Sequence, residues 1–416
     1  MKIRIVNHDI VYLILFQGVN YVIPLLILPY LIIHLGARSY GYLGFSQSVI
    51  QYFLLIVDFG FNLSATQRIA KNRDNKSEIS RIFYATLYAK IILLIIATLI
   101  FPIVLLIPQF ANYRSTLLMT YPTLLGTTFT FFWLFQGIGK VRLITFFSLI
   151  PKLLLLPLLF FVVNNENDYL IAAFIQSITY VLTAILSIYW LIKNRVVERF
   201  KISINEIRRE VKESFPLFLS AASISMYTQL FTVFLGLIAT PEVVGKYSAA
   251  EKIVRSLCFL IYVPFSQYFF PKISELAEKD RRSGVTLFRK TFKQLIAVMF
   301  FICVIIMIAS NKIALFLGKQ YSDISILLII MSVLPIIIVT GGFFGQMGLI
   351  ALGNNKTKNQ FKQVYFLAAL FSLICVIALS TLLAEKGASI ALVMTELFVA
   401  VLMVYFTFKN NIIKTL

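Results

Sequence analysis

The sequence predicts an all-α integral membrane protein: 12 transmembrane helices in two six-helix lobes, parallel pseudo-repeats around a central cavity, with both termini cytoplasmic. Three observations carry that prediction. Hydrophobic residues make up 59% of the 416 and the mean hydropathy is +0.88, well above the roughly 45–50% apolar content of soluble domains. Twelve apolar stretches follow one another, each near the roughly 20 residues a helix needs to cross a bilayer core. Lysine and arginine fall on alternate connections. The odd-numbered ones hold only five, Arg38, Arg114, Lys312, Lys319 and Lys386, out of 38 in the chain. Basic residues beside a span resist translocation, so the asymmetry fixes orientation.

Span 1, about 10 to 34, follows Lys2 and Arg4; it is too long for a signal-peptide core and has no small-residue cleavage site, so it stays in the protein. Span 2, about 41 to 64, ends at Arg68, Lys71 and Arg73. Spans 3 and 4, about 82 to 107 and 115 to 138, lie between Lys76 and Arg81 on one side and Lys140 and Arg142 on the other. Spans 5 and 6, about 143 to 163 and 169 to 192, are joined by the uncharged and acidic run Asn164-Asn165-Glu166-Asn167-Asp168. The longest cytoplasmic connection, 193 to 213, then separates residues 1–192 from residues 214–416. Spans 7 to 12 follow at about 214 to 238, 244 to 270, 287 to 309, 324 to 352, 360 to 383 and 388 to 408.

Within the connection, Ser203 and Glu206 have capping-box spacing. Ile204, Ile207 and Val211 form an apolar stripe opposite Arg208, Arg209 and Lys212. The pattern predicts a short amphipathic helix on the inner leaflet linking the lobes. The lobes share internal similarity. Leu35-Gly36 leading to Gly41-Tyr42 is matched by Leu235-Gly236 leading to Gly245-Lys246-Tyr247. Nineteen residues after each closing glycine stands a helix-perturbing residue, Gly60 or Pro264, and twenty-seven after it a cation, Arg68 or Lys272. An even number of spans per repeat makes the repeats parallel, and their midplane interface is where transporters place substrate.

The run Leu35-Gly36 to Tyr40-Gly41, followed by Asp58-Phe59-Gly60-Phe61-Asn62 and Arg68-Ile69-Ala70, resembles the opening of polysaccharide flippases of the Wzx type. These form a branch of the multidrug, oligosaccharidyl-lipid and polysaccharide exporter superfamily. Trp133 to Gln136-Gly137, Gly245 to Glu251-Lys252-Ile253, and Phe270-Pro271-Lys272-Ile273 agree with it, and the resemblance extends over essentially the whole chain. Gly139 departs from it, standing where an acidic residue is expected. The resemblance implies a V-shaped pair of lobes in the bacterial inner membrane. It also implies an activity, ion-coupled flipping by alternating access of an undecaprenyl-diphosphate-linked oligosaccharide, the repeat unit of O-antigen or a related surface polysaccharide, from the cytoplasmic to the periplasmic leaflet. A polysaccharide polymerase and a chain-length regulator are the implied partners, with no cofactor.

Ionisable groups at bilayer depth cost about 2.5–3.5 kcal/mol each on insertion scales, so they face a partner or a wet cavity. Those within the spans are Asp58, Lys90, Lys152, Glu251, Lys252, Arg255 and Glu396. At about 1.5 Å per residue, Lys90 lies roughly 12 Å, Lys152 roughly 14 Å and Arg255 roughly 17 Å from a span edge. A diphosphate crossing a low-dielectric slab needs fixed cations. Lys252 and Arg255, at i and i+3, share a helix face, and with Lys152 and Lys90 they are the expected lining of the diphosphate site. Arg255 suits bidentate contact and Lys252 a point-charge contact. Glu251 and Arg255, at i and i+4, can instead neutralise each other. Asp58 is a candidate gate, a partner of Arg68, or above all a structural residue that bends and anchors the helix; Glu251 belongs to the same gating and coupling set. Glu396, alone at mid-depth, is a candidate carrier of a coupling proton. Gln17, Asn20, Gln47 and Gln51 are candidate glycan contacts, although such amides equally serve hydrogen bonds between helices.

The same residues exclude other classes. A net charge of +20 is explained by the positive-inside bias and anionic lipid rather than by nucleic acid. Cys258, Cys303 and Cys375 lie on separate spans, and His8 and His34 at opposite ends of one, so no metal motif exists. Neither GxSxG, HExxH, Walker A nor a Rossmann fingerprint is present, and the chain is not expected to be an enzyme. The competing function is a multidrug or cation antiporter of the same fold, which should present carboxylates where this chain has cations.

Overall fold

The structure, a computed structural model, describes residues Val6–Ile413, with side chains from Ile23 onward apart from Pro24 and Ser220. The described residues form helices and connections and no strand. In order the helices are α1 (Val6–Asp58), α2 (Phe61–Lys71), α3 (Lys76–Leu106), α4 (Arg114–Thr120), α5 (Pro122–Phe129), α6 (Phe132–Gly137), α7 (Val141–Leu155) and α8 (Leu159–Val162). They continue with α9 (Tyr169–Lys193), α10 (Ile204–Ile238), α11 (Pro241–Lys279), α12 (Arg281–Leu317), α13 (Ile324–Met331), α14 (Leu334–Phe343) and α15 (Asn355–Lys409).

Ten helical stretches among the described residues are long and apolar enough to cross a membrane. Leu25–Lys71 holds the end of the first predicted span and the whole of the second, and Asn355–Lys409 holds the eleventh and twelfth. In the first, α1 is interrupted at Gly36, whose φ of 66° and ψ of 174° suit glycine almost alone. In the other, α15 is interrupted at Ala384 (φ 46°, ψ −123°). The sequence shows a connection at both places; the backbone makes each with a single residue. Large apolar side chains point outward, Leu315 at 82% and Phe161 at 78% exposure among them. Lipid is the solvent that tolerates such a surface, and the chain is a multi-pass membrane protein.

The contacts divide the chain into two compact units. One holds Tyr42–Gln229 and the residues before Gln17; the other holds Gln17–Gly41 and Leu230–Leu416. In the first unit, α2 packs on α6 around Trp133, which is fully buried beside Phe83 and Phe131. Gly137 lets the two backbones close, since a Cβ there would lie 2.7 Å from Ile69. The Trp133–Gly137 and Arg68–Ala70 motifs therefore meet as packing partners.

The connection expected as a separate short helix is instead the beginning of α10, one 35-residue helix that runs on into span 7. Ser203 and Glu206 do cap it, the Ser203 amide donating to Glu206 Oε2 at 2.8 Å. Its course is set by ion pairs to α2 and α3. Arg68 holds both Glu210 and Glu213, and Arg81 reaches Glu206 at 3.6 Å, while in the connection before α10 Glu198 is held by Lys76 at 3.0 Å. Hydrogen bonds from Ser203 keep the Glu206 carboxyl below its ordinary range, and Arg209 does the same for Glu213; burial pushes Glu210 up, against the pull of Arg68.

In the second unit the paired glycines of the repeat face each other. A Cβ on Gly41 would come 1.8 Å from the Pro241 carbonyl oxygen, and one on Gly245 would come 1.8 Å from that of Ala37. The start of the second predicted span and the start of α11 thus cross backbone to backbone. After α14 comes a π-helical stretch, Phe344–Ala351. Gly341, Gly345 and Gly348 seat this region on Ala400, Met403 and Thr407 of α15.

Candidate functional site

The deep charges of the second unit form one constellation. Arg255 on α11 donates from Nε to Glu251 Oε1 at 2.9 Å and from Nη2 to Glu396 Oε1 at 3.1 Å. The first contact follows from helical spacing; the second joins α11 to α15. The side chains are 15%, 11% and 5% exposed respectively. One guanidinium stands between two carboxylates, and Lys252, beside Glu251, supplies a second cation to the same cluster. A proton on either carboxylate would loosen the hold on Arg255.

Glu396 is therefore not alone, as the sequence suggested: its partner comes from a helix 141 residues away. Lys252, three residues before Arg255, is attracted by the neighbouring Glu251 and also lies 5.3 Å from the ring centroid of Tyr40. The aromatic face adds to the stabilisation of that cation.

In the first unit two of the deep charges, Lys90 and Asp58, pair one to one. Lys90 on α3, 2% exposed, holds Asp58 Oδ1 at 2.7 Å, and Asn62 donates to the other oxygen at 3.1 Å. The expected partner of Asp58, Arg68, holds the two glutamates of α10 instead. Asp58 ends α1 at a sharp break in which Phe59 (φ 40°) and Gly60 (φ 79°) both take left-handed conformations. For phenylalanine that costs about 1–2 kcal/mol. The break is held by Phe59 stacked on Phe218 at 4.3 Å and by Gly60, where a Cβ would fall 2.8 Å from the Phe218 nitrogen.

Lys152 is half-buried on α7 directly after Pro151. Gln47 donates to Gln176 of α9 at 3.0 Å, a bond between helices, while Gln51 is exposed. The side chains of Gln17 and Asn20 lie outside the described residues.

Sequence reasoning missed Tyr40, Gln176 and the acidic ridge Glu206, Glu210 and Glu213. The ridge had a signal: three glutamates at helical spacing on the stretch whose cations and apolar stripe drew attention first.

A family model described as polysaccharide biosynthesis protein matches residues 6–277. A protein of Escherichia coli (strain K12) named "Putative O-antigen transporter" is 33% identical over 410 residues, 98% of either chain. A protein of Shigella dysenteriae with the same name is 28% identical over 400 residues, 95% of this chain and 98% of its own. Among solved structures, lipid II flippase MurJ in an inward closed conformation superposes with a TM-score of 0.75 at 14% identity, covering 96% of this chain and 89% of that one. The inward-facing conformation of a multidrug resistance MATE family transporter of the MOP superfamily gives 0.72 at 15% identity, covering 98% and 96%. At such identities the likeness is one of fold.

Proposed function

The chain belongs to the polysaccharide biosynthesis protein family, and from that premise we propose that it is an O-antigen or related polysaccharide transporter whose cargo is an undecaprenyl-diphosphate-linked oligosaccharide. In this reading twelve helices cross the bacterial inner membrane with both termini cytoplasmic. Alternating access carries the lipid-linked unit to the periplasmic leaflet, where a polysaccharide polymerase and a chain-length regulator take it over.

The observation that carries the reading is the network Glu251–Arg255–Glu396, a largely buried arginine held by two carboxylates, and its release on their protonation is the proposed step. While both are ionised the guanidinium is engaged. A proton on Glu396 removes one partner and frees an Nη donor for an incoming diphosphate, with Lys252 beside it as a second cation. Departure of the diphosphate returns Arg255 to Glu396 and expels the proton. Proton and diphosphate are then taken up and released together, because the ionised carboxylate and the diphosphate compete for a single guanidinium. The Asp58–Lys90 pair holds the break at Phe59–Gly60.

The two-to-one excess of carboxylate over guanidinium also favours a second reading, export of organic cations by the same fold. The two part in proteoliposomes loaded with labelled undecaprenyl-diphosphate oligosaccharide, scored with an impermeant glycan-modifying reagent. Flipping by the wild type that is lost in Arg255→Ala with Lys252→Ala is expected. Full activity in that double variant would remove the cationic site; no flipping by folded wild type, together with cation uptake, would establish the antiporter. Glu396→Gln should abolish the dependence on a pH gradient, and an unchanged dependence would rule out coupling through that carboxyl.

A further inference from the structure

Beside the ion pairs that fasten α10 to α2 and α3 runs a groove of about 400 Å³ on the first unit. Its floor is Ile204, Ile207, Val211 and Phe215 of α10 with Ile92 of α3, and its rim carries Arg208 and Lys212. Ile204 is 63% and Phe215 50% exposed, so the floor is open to whatever surrounds the protein. The two rim cations differ from their neighbours. Arg68, Arg81, Arg209 and Lys76 each hold a carboxylate, whereas among the described residues Arg208 and Lys212 have no such partner.

We propose that this groove is a binding site for one anionic glycerophospholipid of the cytoplasmic leaflet, its phosphate between Arg208 and Lys212 and one acyl chain along the isoleucine floor. Arg208 and Lys212 stand at i and i+4, one helical turn apart, a spacing that lets both reach a single phosphate. Arginine gives two parallel hydrogen bonds to phosphate oxygens and lysine a point charge. Phe215 lies about 10 Å beyond Arg208 along the helix, on the side toward the membrane-crossing part of α10, so the apolar floor leads from the charges into the bilayer. The lining offers no amide or hydroxyl side chain with which to read a sugar, which favours a structural phospholipid over a glycan-bearing one.

The apolar contacts select little, because any lipid supplies a chain. Selectivity comes from the two unpaired cations, and juxtamembrane cations near an anionic surface are worth about fivefold each. An enrichment of about thirtyfold of anionic over zwitterionic lipid is expected.

The full chain in nanodiscs of equal phosphatidylglycerol and phosphatidylcholine, released into native mass spectrometry, should retain one phosphatidylglycerol about thirtyfold over phosphatidylcholine. R208Q with K212Q should bring the ratio near one, and R208K with K212R should keep it. Equal retention of both lipids by wild type, or an undiminished ratio in the glutamine pair, would overturn the site. A photo-crosslinking residue at position 215 gives a readout that leaves the charges intact: preferential capture of phosphatidylglycerol is expected, and equal capture of both lipids counts against the site. Displacement of the lipid by equimolar farnesyl diphosphate would replace the occupant with a prenyl diphosphate. None of these readouts depends on transport, so they stand apart from the proposed function.

Discussion

Six residues after Gly41 stands Gln47, and six after Gly245 stands Glu251; four further along each helix stand Gln51 and Arg255. Each half bonds one of these residues to the sixth predicted span of its own half, from positions one helical turn apart. In the first unit the bond is Gln47 to Gln176, amide to amide at 3.0 Å, and Gln51 is exposed. In the second it is Arg255 to Glu396 at 3.1 Å, with Glu251 as the further partner. The same pair of helices is thus fastened by a neutral bond in one half and an ionic one in the other. An amide pair holds helices together and responds to no ion, whereas a guanidinium between two carboxylates changes its bonding when a proton arrives. In the proposed reading the repeat supplies the scaffold, and the second half adds the switch.

Arg255→Ala attacks this contrast hardest. It leaves two buried carboxylates facing each other, and orphaning a buried ion costs about 3–5 kcal/mol. Thermal unfolding in detergent should show that loss. A midpoint equal to wild type would mean that the cluster is hydrated and that the two halves differ less than their geometry suggests. Lys90→Met should cost less, about 1–3 kcal/mol, because Asp58 is 29% exposed and keeps its bond from Asn62. Adding Asp58→Asn should recover most of it, which a double-mutant cycle measures directly; strict additivity would deny the pair.

How these contacts stood in the sequence differs from one to the next. Glu251 with Arg255 was legible, since a helix fixes which residues meet four apart. Glu396 as the next partner was not, because hydropathy locates α15 but carries no information on its rotation toward α11. Asp58 misled for the same reason: Arg68 is near it in sequence, yet the left-handed turn at Phe59–Gly60 sends α2 away and leaves Asp58 toward Lys90. The repeat glycines were legible as a pattern, and their cause, two backbones in contact at Gly41 and Gly245, appears only once α1 and α11 cross. The start of α10 was read as a helix of its own because charge and apolarity alternate there. The glutamates that tie it to α2 and α3, and so align it with span 7, became meaningful only with Arg68 and Arg81 in place.

A sharper test converts the ionic contact into the neutral one. Glu251→Gln, Arg255→Gln and Glu396→Gln together give the second half the chemistry of the first. The three charges are then removed together, with Lys252 left on the face of Tyr40, and replacing a complete ionic cluster is often neutral, so stability should return to within about 1–2 kcal/mol of wild type. Transport should not return, because no group remains that exchanges a carboxylate for a diphosphate. A triple variant that is stable and still flips lipid-linked oligosaccharide would show the network to be a fastening like its counterpart.

The smallest effect belongs to that counterpart. Hydrogen bonds between membrane helices average about 0.6 kcal/mol, so Gln47→Ala should shift unfolding by about that amount. Its transport should match wild type in rate and in pH dependence. Gln47 was also a candidate glycan contact, and the two roles separate here. A fastening residue lowers stability and leaves the apparent affinity for the oligosaccharide alone, whereas a sugar-binding residue raises the half-saturating substrate concentration with stability unchanged. Gln176→Ala makes the distinction firmer. If Gln47 acts only through Gln176, the double variant should be no worse than either single one; a further loss of affinity from Gln47→Ala in the Gln176→Ala background would place the glycan against the neutral half as well.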